Sequence, residues 1–156
     1  MGGPYGSPHT PSTHRPRGRR CRTVRVVVSL DGVVTSGLGQ GASFMSLPWV
    51  QDAVGRLMGF TPYPGTLNVR LDADAVEVWR RIQEGRAIVL APQPPETCGA
   101  RLFPAVMGPD VEAAVIVPDV TRYGDDLLEL IAAVHLRSRL GLRDHDRVTL
   151  RPRRAS

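Results

Sequence analysis

FTPYPGTLNVRL, residues 60–71, passes within a few residues from a loop that cannot be helical to a segment that must be extended. Pro62 and Pro64 fix their own φ and push Thr61 and Tyr63 out of the helical region, and Gly65 ends the loop. The run Thr66 to Leu71 then reads as a strand. Residues two apart in a strand face the same side, so the Thr66 hydroxyl and the Asn68 amide oxygen converge on one point. Two neutral oxygens so placed suit a hard cation that phosphates also hold, such as Mg²⁺; the same two groups can equally hydrogen-bond the turn itself.

Upstream, TVRVVVSL (23–30) is β-branched and predicts a strand, with a hairpin turn at Asp31-Gly32 and a second short strand from Val33 to Ser36. GLGQGASF (37–44) follows. SLPWVQDAVGRLMGF then predicts a helix, with Pro48 in its first turn, Val50, Val54, Leu57 and Met58 on one face, and Gly59 as its stop. Downstream, a second amphipathic helix is expected over about 73–84. Asp72 or Asp74 is its cap, Val76, Trp79 and Ile82 face inward, and Gly85 ends it. AIVLA, LFPAVM, AAVIVP and RVTLRP are short β-type runs between Pro and Gly breaks. The segment DDLLELIAAVHLRSRLGL (125–142) fits a helix by propensity and a strand by alternation. Many short strands with a few short helices predict a mainly β fold, a small barrel with helical insertions.

The charge balance of 20 Lys+Arg against 15 Asp+Glu suggests a basic protein, but its distribution does not. Residues 1–22 hold five Arg and no acid, and residues 151–156 hold three more, leaving 12 Arg against all 15 acids between them, a net of −3. Residues 1–22, rich in Pro and Gly, are expected to be a disordered tail, residues 23–150 the folded domain, and 151–156 a short basic tail. Every cation is Arg, so mechanisms that need a Lys, such as the GK[ST] phosphate loop or a Schiff base, are excluded. Two Cys, Cys21 and Cys98, make no disulfide framework, and with four His they give no zinc spacing. No run approaches the ~18 apolar residues of a membrane span, and the N-terminus lacks the apolar stretch of a signal peptide, so a cytoplasmic protein is expected.

Two further motifs invite chemistry. Gly37-Leu38-Gly39-Gln40-Gly41 can turn backbone amides toward an anion, although its third glycine comes one residue early for a dinucleotide fingerprint. The stretch around Thr121, Tyr123 and Glu129 offers a hydroxyl, a ring and a carboxylate within an apolar run; a lone acid there either faces solvent or is held for a purpose.

In order, SGLGQGASFMSLP, GFTPYPGTLNVRL, AAVIVPDVTRYGDDLLELIA and HLRSRLGLRDHDRV resemble the CTP-dependent riboflavin kinases of archaea, from Val26 to Val148. The resemblance implies a six-stranded cradle-loop barrel that transfers the γ-phosphate of CTP to the 5′-hydroxyl of riboflavin, giving FMN and CDP. Matched motif by motif, it implies that Gly37, Leu38, Gly39, Gln40, Gly41 and Ala42 line the nucleotide, with Val134, His135, Leu136 and Arg137 as the other wall. It implies that Thr66 and Asn68 bind Mg²⁺ and that Thr121 and Glu129 hold the flavin. No residue stands out as a general base; Glu129 is the nearest candidate and is assigned to substrate orientation. Departures from the family pattern are Gln40 where Glu is frequent, Ala133 where Pro is common, and Asp144-His145-Asp146 where many members read DGD. Two other readings stay open: a flavin or nucleotide sensor on the same barrel, and a nucleic-acid-binding protein that uses the Arg tails, which the acidic body disfavours.

Overall fold

The computed structural model describes residues 2–3, 27–37, 40–120 and 123–155. In chain order the elements are β1 (Leu30–Thr35), α1 (Gln40–Met45), α2 (Pro48–Met58), β2 (Leu67–Leu71), α3 (Ala73–Gln83), β3 (Ile88–Leu90), β4 (Ala100–Met107), β5 (Val111–Pro118), β6 (Leu127–Ala132), α4 (Leu136–Leu140) and β7 (Arg147–Pro152). Six antiparallel strands close in the order β4-β5-β6-β2-β1-β7, because the end of β4, Ala105 to Met107, pairs with β7. The start of β4, Ala100 to Leu102, pairs instead with β3, which flares off the wall as a seventh strand. The mainly β, six-stranded barrel expected from the sequence is the fold observed.

Period-two alternation sorts the side chains into two cores. Leu67, Val69 and Leu71 of β2, Ala113 and Val115 of β5, and Leu128, Leu130 and Ala132 of β6 fill the interior, which α3 plugs with Trp79 set edge-on to Phe103 at 5.1 Å between ring centres. The outward residues Leu102, Ala114, Ile116 and Ile131 are covered by α2 through Val50, Ala53 and Val54, with Met45 of α1. β5 and β6 are therefore buried on both faces, which is why AAVIVP and LLELIA read as nearly continuous apolar runs. Each fully buried Leu or Ile here contributes about 1.5–3 kcal/mol. Among the described residues, no helix is long and apolar enough to cross a membrane.

The helices follow their end signals. α2 starts with Pro48 and stops at Gly59, in the left-handed region at φ 77°. α3 starts after Asp72, whose carboxylate does not cap it but pairs with Arg147, a contact that holds the Asp72 carboxyl below its usual range. The ambiguous segment 125–142 contains both answers: β6, a short turn, then α4 ended by Gly141. Strand pairing to β2 on one side and β5 on the other overrides the helical propensity of Leu and Ala in its first half.

The hairpin at Asp31-Gly32 is not formed. Thr23 to Val26 lie outside the described residues, Val27 to Ser29 are not strand, and Asp31-Gly32 runs straight through β1. Gly32 faces Leu71 of β2 on one side and Val148 of β7 on the other. Glycine is needed there for close approach rather than reversal, since a Cβ would overlap the Arg70 carbonyl and come within 2.9 Å of Val69 Cγ1. Asp31 accepts a 2.6 Å hydrogen bond from Thr149 Oγ1, another cross-strand role. At the other end, β7 extends through Arg151 and Pro152, two residues into the segment that composition assigns to the basic tail.

A second turn is strained by its sequence. Val34 N–H donates to the Asp146 carbonyl at 2.9 Å and His145 N–H donates to the Val34 carbonyl at 2.8 Å, which forces His145 to φ 72°. Replacing it by glycine, His145→Gly, removes a left-handed cost of roughly 1–2 kcal/mol against a smaller entropic loss, so the variant is expected to be more stable by about 0.5–1 kcal/mol. Gly32→Ala is expected to lose about 1–3 kcal/mol by overpacking the barrel wall. Urea midpoints for the two variants should move in opposite directions; a Gly32→Ala midpoint equal to the wild type would contradict the close packing of β1 on β2.

Candidate functional site

The barrel's alternation puts Thr66 and Asn68 on the outside of β2, opposite the parity of Leu67 and Val69. In the pairing of β2 with β6, Asn68 lies directly across from Glu129, and Glu129 lies across from Ile116 of β5. On the other flank Asn68 lies across from Thr35, the last residue of β1. Register alone therefore gathers the amide, the hydroxyl and the carboxylate on one patch of the outer wall.

The glycine segment lies against this patch. Its second half is not a loop but α1, and a Cβ on Gly41 would sit 2.6 Å from Thr66 Oγ1 and 2.8 Å from Thr66 Cγ2, so no Thr66 rotamer clears it. Glu129 Oε1 is 3.3 Å from the same point. A Cβ on Gly37 would overlap the Asn68 amide. These two glycines are required by contact with Asn68 and Thr66, a reason distinct from presenting amides to an anion.

Two clefts meet at Thr66. The larger, about 280 Å³, lies between α1, the β3–β4 connection and the wall, with Phe44, Met45 and Ile116 as apolar surface and Tyr123, Thr66 and Glu129 as polar groups. Cys98 and Glu96 form part of its rim. Apolar walls with a few polar groups are what a flat heteroaromatic ligand needs. The smaller, about 70 Å³, is lined by Tyr63, Thr66, Val134, His135 and Arg137 among others.

The chemistry of the patch is specific. Asn68 is 7% exposed, and its Oδ1 has no hydrogen-bond partner among the described residues. A buried carbonyl oxygen left unpaired costs about 1–3 kcal/mol, so a group that accepts its lone pairs is called for. With Thr66 Oγ1 close by on the same face, the donor set is two neutral hard oxygens, which fits Mg²⁺ shared with phosphates. Among the described residues no cluster of three or more His, Cys, Asp or Glu could hold a metal, so a cation here depends on a ligand for the rest of its shell. Glu129 is half-buried, and burial pushes its carboxyl above the ordinary 4.5.

The second wall is built around α4. His135 stacks on Tyr63 with ring centres 4.9 Å apart, and its Nδ1 is 2.6 Å from Ser138 Oγ. Val134 is exposed, whereas Leu136 is buried in the barrel core and anchors the helix. The Arg137 NH2 group donates to the Thr35 carbonyl at 3.2 Å and forms an ion pair with Asp144 Oδ1 at 2.7 Å. Ser36 Oγ donates to Asp144 Oδ2 at 2.7 Å, and this bond, with Arg137, holds the Asp144 carboxyl below its usual range.

Of the residues expected at the site, the structure brings together Gly37, Gly41, Thr66, Asn68 and Glu129, with Arg137 and His135 on the neighbouring wall. Ala42 is on the exposed side of α1, and Gln40 is described only by its backbone at the start of that helix. Leu38, Gly39 and Thr121 lie outside the described residues. Sequence reasoning missed Ser36, Tyr63, Glu96, Cys98 and Asp144. Asp144 alone carried a signal, in the Asp-His-Asp stretch that departs from DGD.

The family model named for CTP-dependent riboflavin kinases, described as "Domain of unknown function DUF120", matches residues 34–151. A protein named riboflavin kinase from Pyrobaculum islandicum is 41% identical over 128 residues, 79% of this chain and 59% of its own length. One of the same name from Halobacterium salinarum is 42% identical over 131 residues, 80% of this chain and 56% of that one. Another, from Saccharolobus solfataricus, is 33% identical over 127 residues, 79% and 73% respectively. The chain thus spans somewhat under three fifths of the length of several of these relatives. The family match takes in β2 to β6 whole, the end of β1, most of β7 and the residues lining both clefts, and the chain belongs to the CTP-dependent riboflavin kinase family.

Proposed function

We propose that the protein is a cytoplasmic, Mg²⁺-assisted riboflavin kinase that moves the γ-phosphate of CTP to the 5′-hydroxyl of riboflavin. The observation that carries this reading is the position of Thr66, which lines both clefts, beside the unpaired Asn68 Oδ1. A phosphoryl donor in the smaller cleft and an alcohol acceptor in the larger one would meet there. The names of the relatives support the same reading, each being called a riboflavin kinase.

In this reading the isoalloxazine rings lie on Phe44, Met45 and Ile116, while the Glu129 carboxylate accepts hydrogen bonds from the flavin's polar edge or ribityl hydroxyls. Thr66 and Asn68 hold Mg²⁺, which when bound neutralises charge on the nucleotide phosphates. The 5′-oxygen bonds to the γ-phosphorus as the bond to the β–γ bridging oxygen breaks, leaving FMN and CDP. A loose transition state makes little demand for early loss of the hydroxyl proton, so orientation by Glu129 suffices and no strong base is required. Positioning and charge neutralisation by amides, a cation and Arg make Lys dispensable, in keeping with a chain that has none.

The test is to incubate the full chain with riboflavin, Mg²⁺ and either CTP or ATP, and to resolve the flavins by chromatography. FMN from CTP is expected. Riboflavin bound tightly with no FMN from either nucleotide would instead identify a sensor, and FMN from ATP alone would overturn the choice of donor. Asn68→Ala is expected to lose turnover on the order of 100-fold across a Mg²⁺ titration; a normal rate throughout would remove Asn68 from the metal site.

Glu129 predicts a trade between stability and function. Its folded-state pKa lies above 4.5, so the folded chain binds the proton more tightly than the unfolded chain. The associated stability is present below pH 4.5 and is lost as pH rises through the folded-state value. Glu129→Gln removes that slope. Thermal midpoints measured from pH 4 to 7 should show the variant gaining on the wild type as pH rises, while its KM for riboflavin increases. Parallel pH curves for the two proteins would mean that Glu129 is not held in the cleft.

A further inference from the structure

We propose that Asp144 is a positioning residue for the nucleotide: its carboxylate fastens the exit of β1 to the start of α4 and so holds Arg137 in place on the wall of the smaller cleft. The inference rests on the kinase reading above and adds to it a residue that touches neither substrate.

Three features carry it. First, each Asp144 oxygen has its own donor, Oδ2 taking the Ser36 hydroxyl and Oδ1 taking Arg137, both at 2.7 Å. The guanidinium can only donate and carries a charge, so the group facing it is best an anionic acceptor, which a carboxylate is and an amide is not. Second, the two partners belong to different elements, and one of them, Arg137, lines the smaller cleft. Ser36 adjoins Gly37, which packs against Asn68, and Arg137 stands in α4 next to His135 and reaches back to the Thr35 carbonyl. Third, Asp144 itself is fixed by its turn. His145 N–H and the Asp146 carbonyl bracket Val34 of β1, and Arg143 N–H donates to Asp146 Oδ2 at 2.7 Å. The carboxylate is thus part of a stitched corner, and a shift in it would move the entry to the glycine segment relative to α4.

The Asp144 side chain is 44% exposed and that of Arg137 31%, so the pair adds little to global stability. Its effect is geometric, which separates this role from a merely structural one. Of Ser36, Arg137 and Asp144, only Arg137 lines either cleft, and it lines the smaller one, so loosening the corner should leave riboflavin binding alone.

The experiment uses the full chain and compares wild type, Asp144→Ala, Asp144→Asn and Ser36→Ala/Asp144→Ala. CDP affinity is measured by calorimetry, and KM for CTP and for riboflavin is measured separately in the FMN assay. Asp144→Ala is expected to raise the CDP Kd and the KM for CTP about tenfold, with the KM for riboflavin changed by less than about twofold. Asp144→Asn, which keeps the volume but replaces the charged contact with Arg137 by a neutral one, should show a smaller rise in the same two values even if the alanine variant folds poorly. Adding Ser36→Ala to Asp144→Ala should change nothing further, because the bond is already gone. Wild-type CDP affinity in folded Asp144→Ala and Asp144→Asn, or CTP and riboflavin KM values that rise together, would overturn the inference while leaving the kinase reading intact. A wild type that makes no FMN and binds no CDP would overturn the kinase reading and this inference with it.

Discussion

The pairing of β2 between β1 and β6 is the constraint on which the rest of the molecule depends. It joins β4-β5-β6 to β1-β7 in the wall that β4 and β7 close, and in the same step it fixes which residues of β2 look inward. A slip of one residue would send Leu67, Val69 and Leu71 to the outside and pull Asn68 into a dry interior, so the apolar set enforces the register that the polar set uses. The site is held in place by residues that never touch a ligand. Glycines complete the arrangement, because α1 can approach the wall only where Gly41 and Gly37 leave room for Thr66 and Asn68.

Much of this was legible in the sequence. Loop prolines followed by alternation located β2, and Pro48 and Gly59 bounded α2 as their chemistry predicts, while α3 stops at Gln83, just before Gly85, without a left-handed cap. What escaped was whatever depended on pairing partners distant in sequence. Asp31-Gly32 has the composition of a tight turn, but glycine also serves close strand approach, and nothing local distinguishes the two uses. Leu127 to Ala132 could not be told from a helix because its Leu and Ala favour a helix while its alternation fits a strand, and the partners that decide, β2 and β5, lie elsewhere in the sequence. Asp144 is separated from Ser36 by 108 positions, and only the folded chain brings them together.

The charges tell a similar story. The Arg-rich ends suggest a basic protein, yet the folded body pairs its cations at the surface: Arg70 with Asp126, Arg80 with Asp125, Arg147 with Asp72. Such pairs are worth only about 0–1 kcal/mol each and do little to attract an anion. The patch formed by Thr66 and Asn68 is neutral instead, and Glu129, its one acid, is held where ionisation is disfavoured. In the proposed reading, affinity for a polyanion at this patch comes from oriented dipoles and a borrowed cation rather than from the net charge of the chain.

The flare of β3 away from the barrel has a consequence for how such a protein changes over generations. Because β4 leaves β3 for β7 midway, the segment from Ala91 to Gly99 forms the cleft's rim without belonging to the closed wall. It is tied down at its far end by Asp119, whose N–H donates to the Gly99 carbonyl at 3.0 Å and whose Oδ2 accepts from the Gly99 N–H at 3.1 Å. A hinged rim on a sealed cylinder is a modular design. Lengthening or rewriting that segment alters the shape of the cleft, while the hoop of strands that sets Asn68 opposite Glu129 stays as it was, so cleft and architecture can change independently.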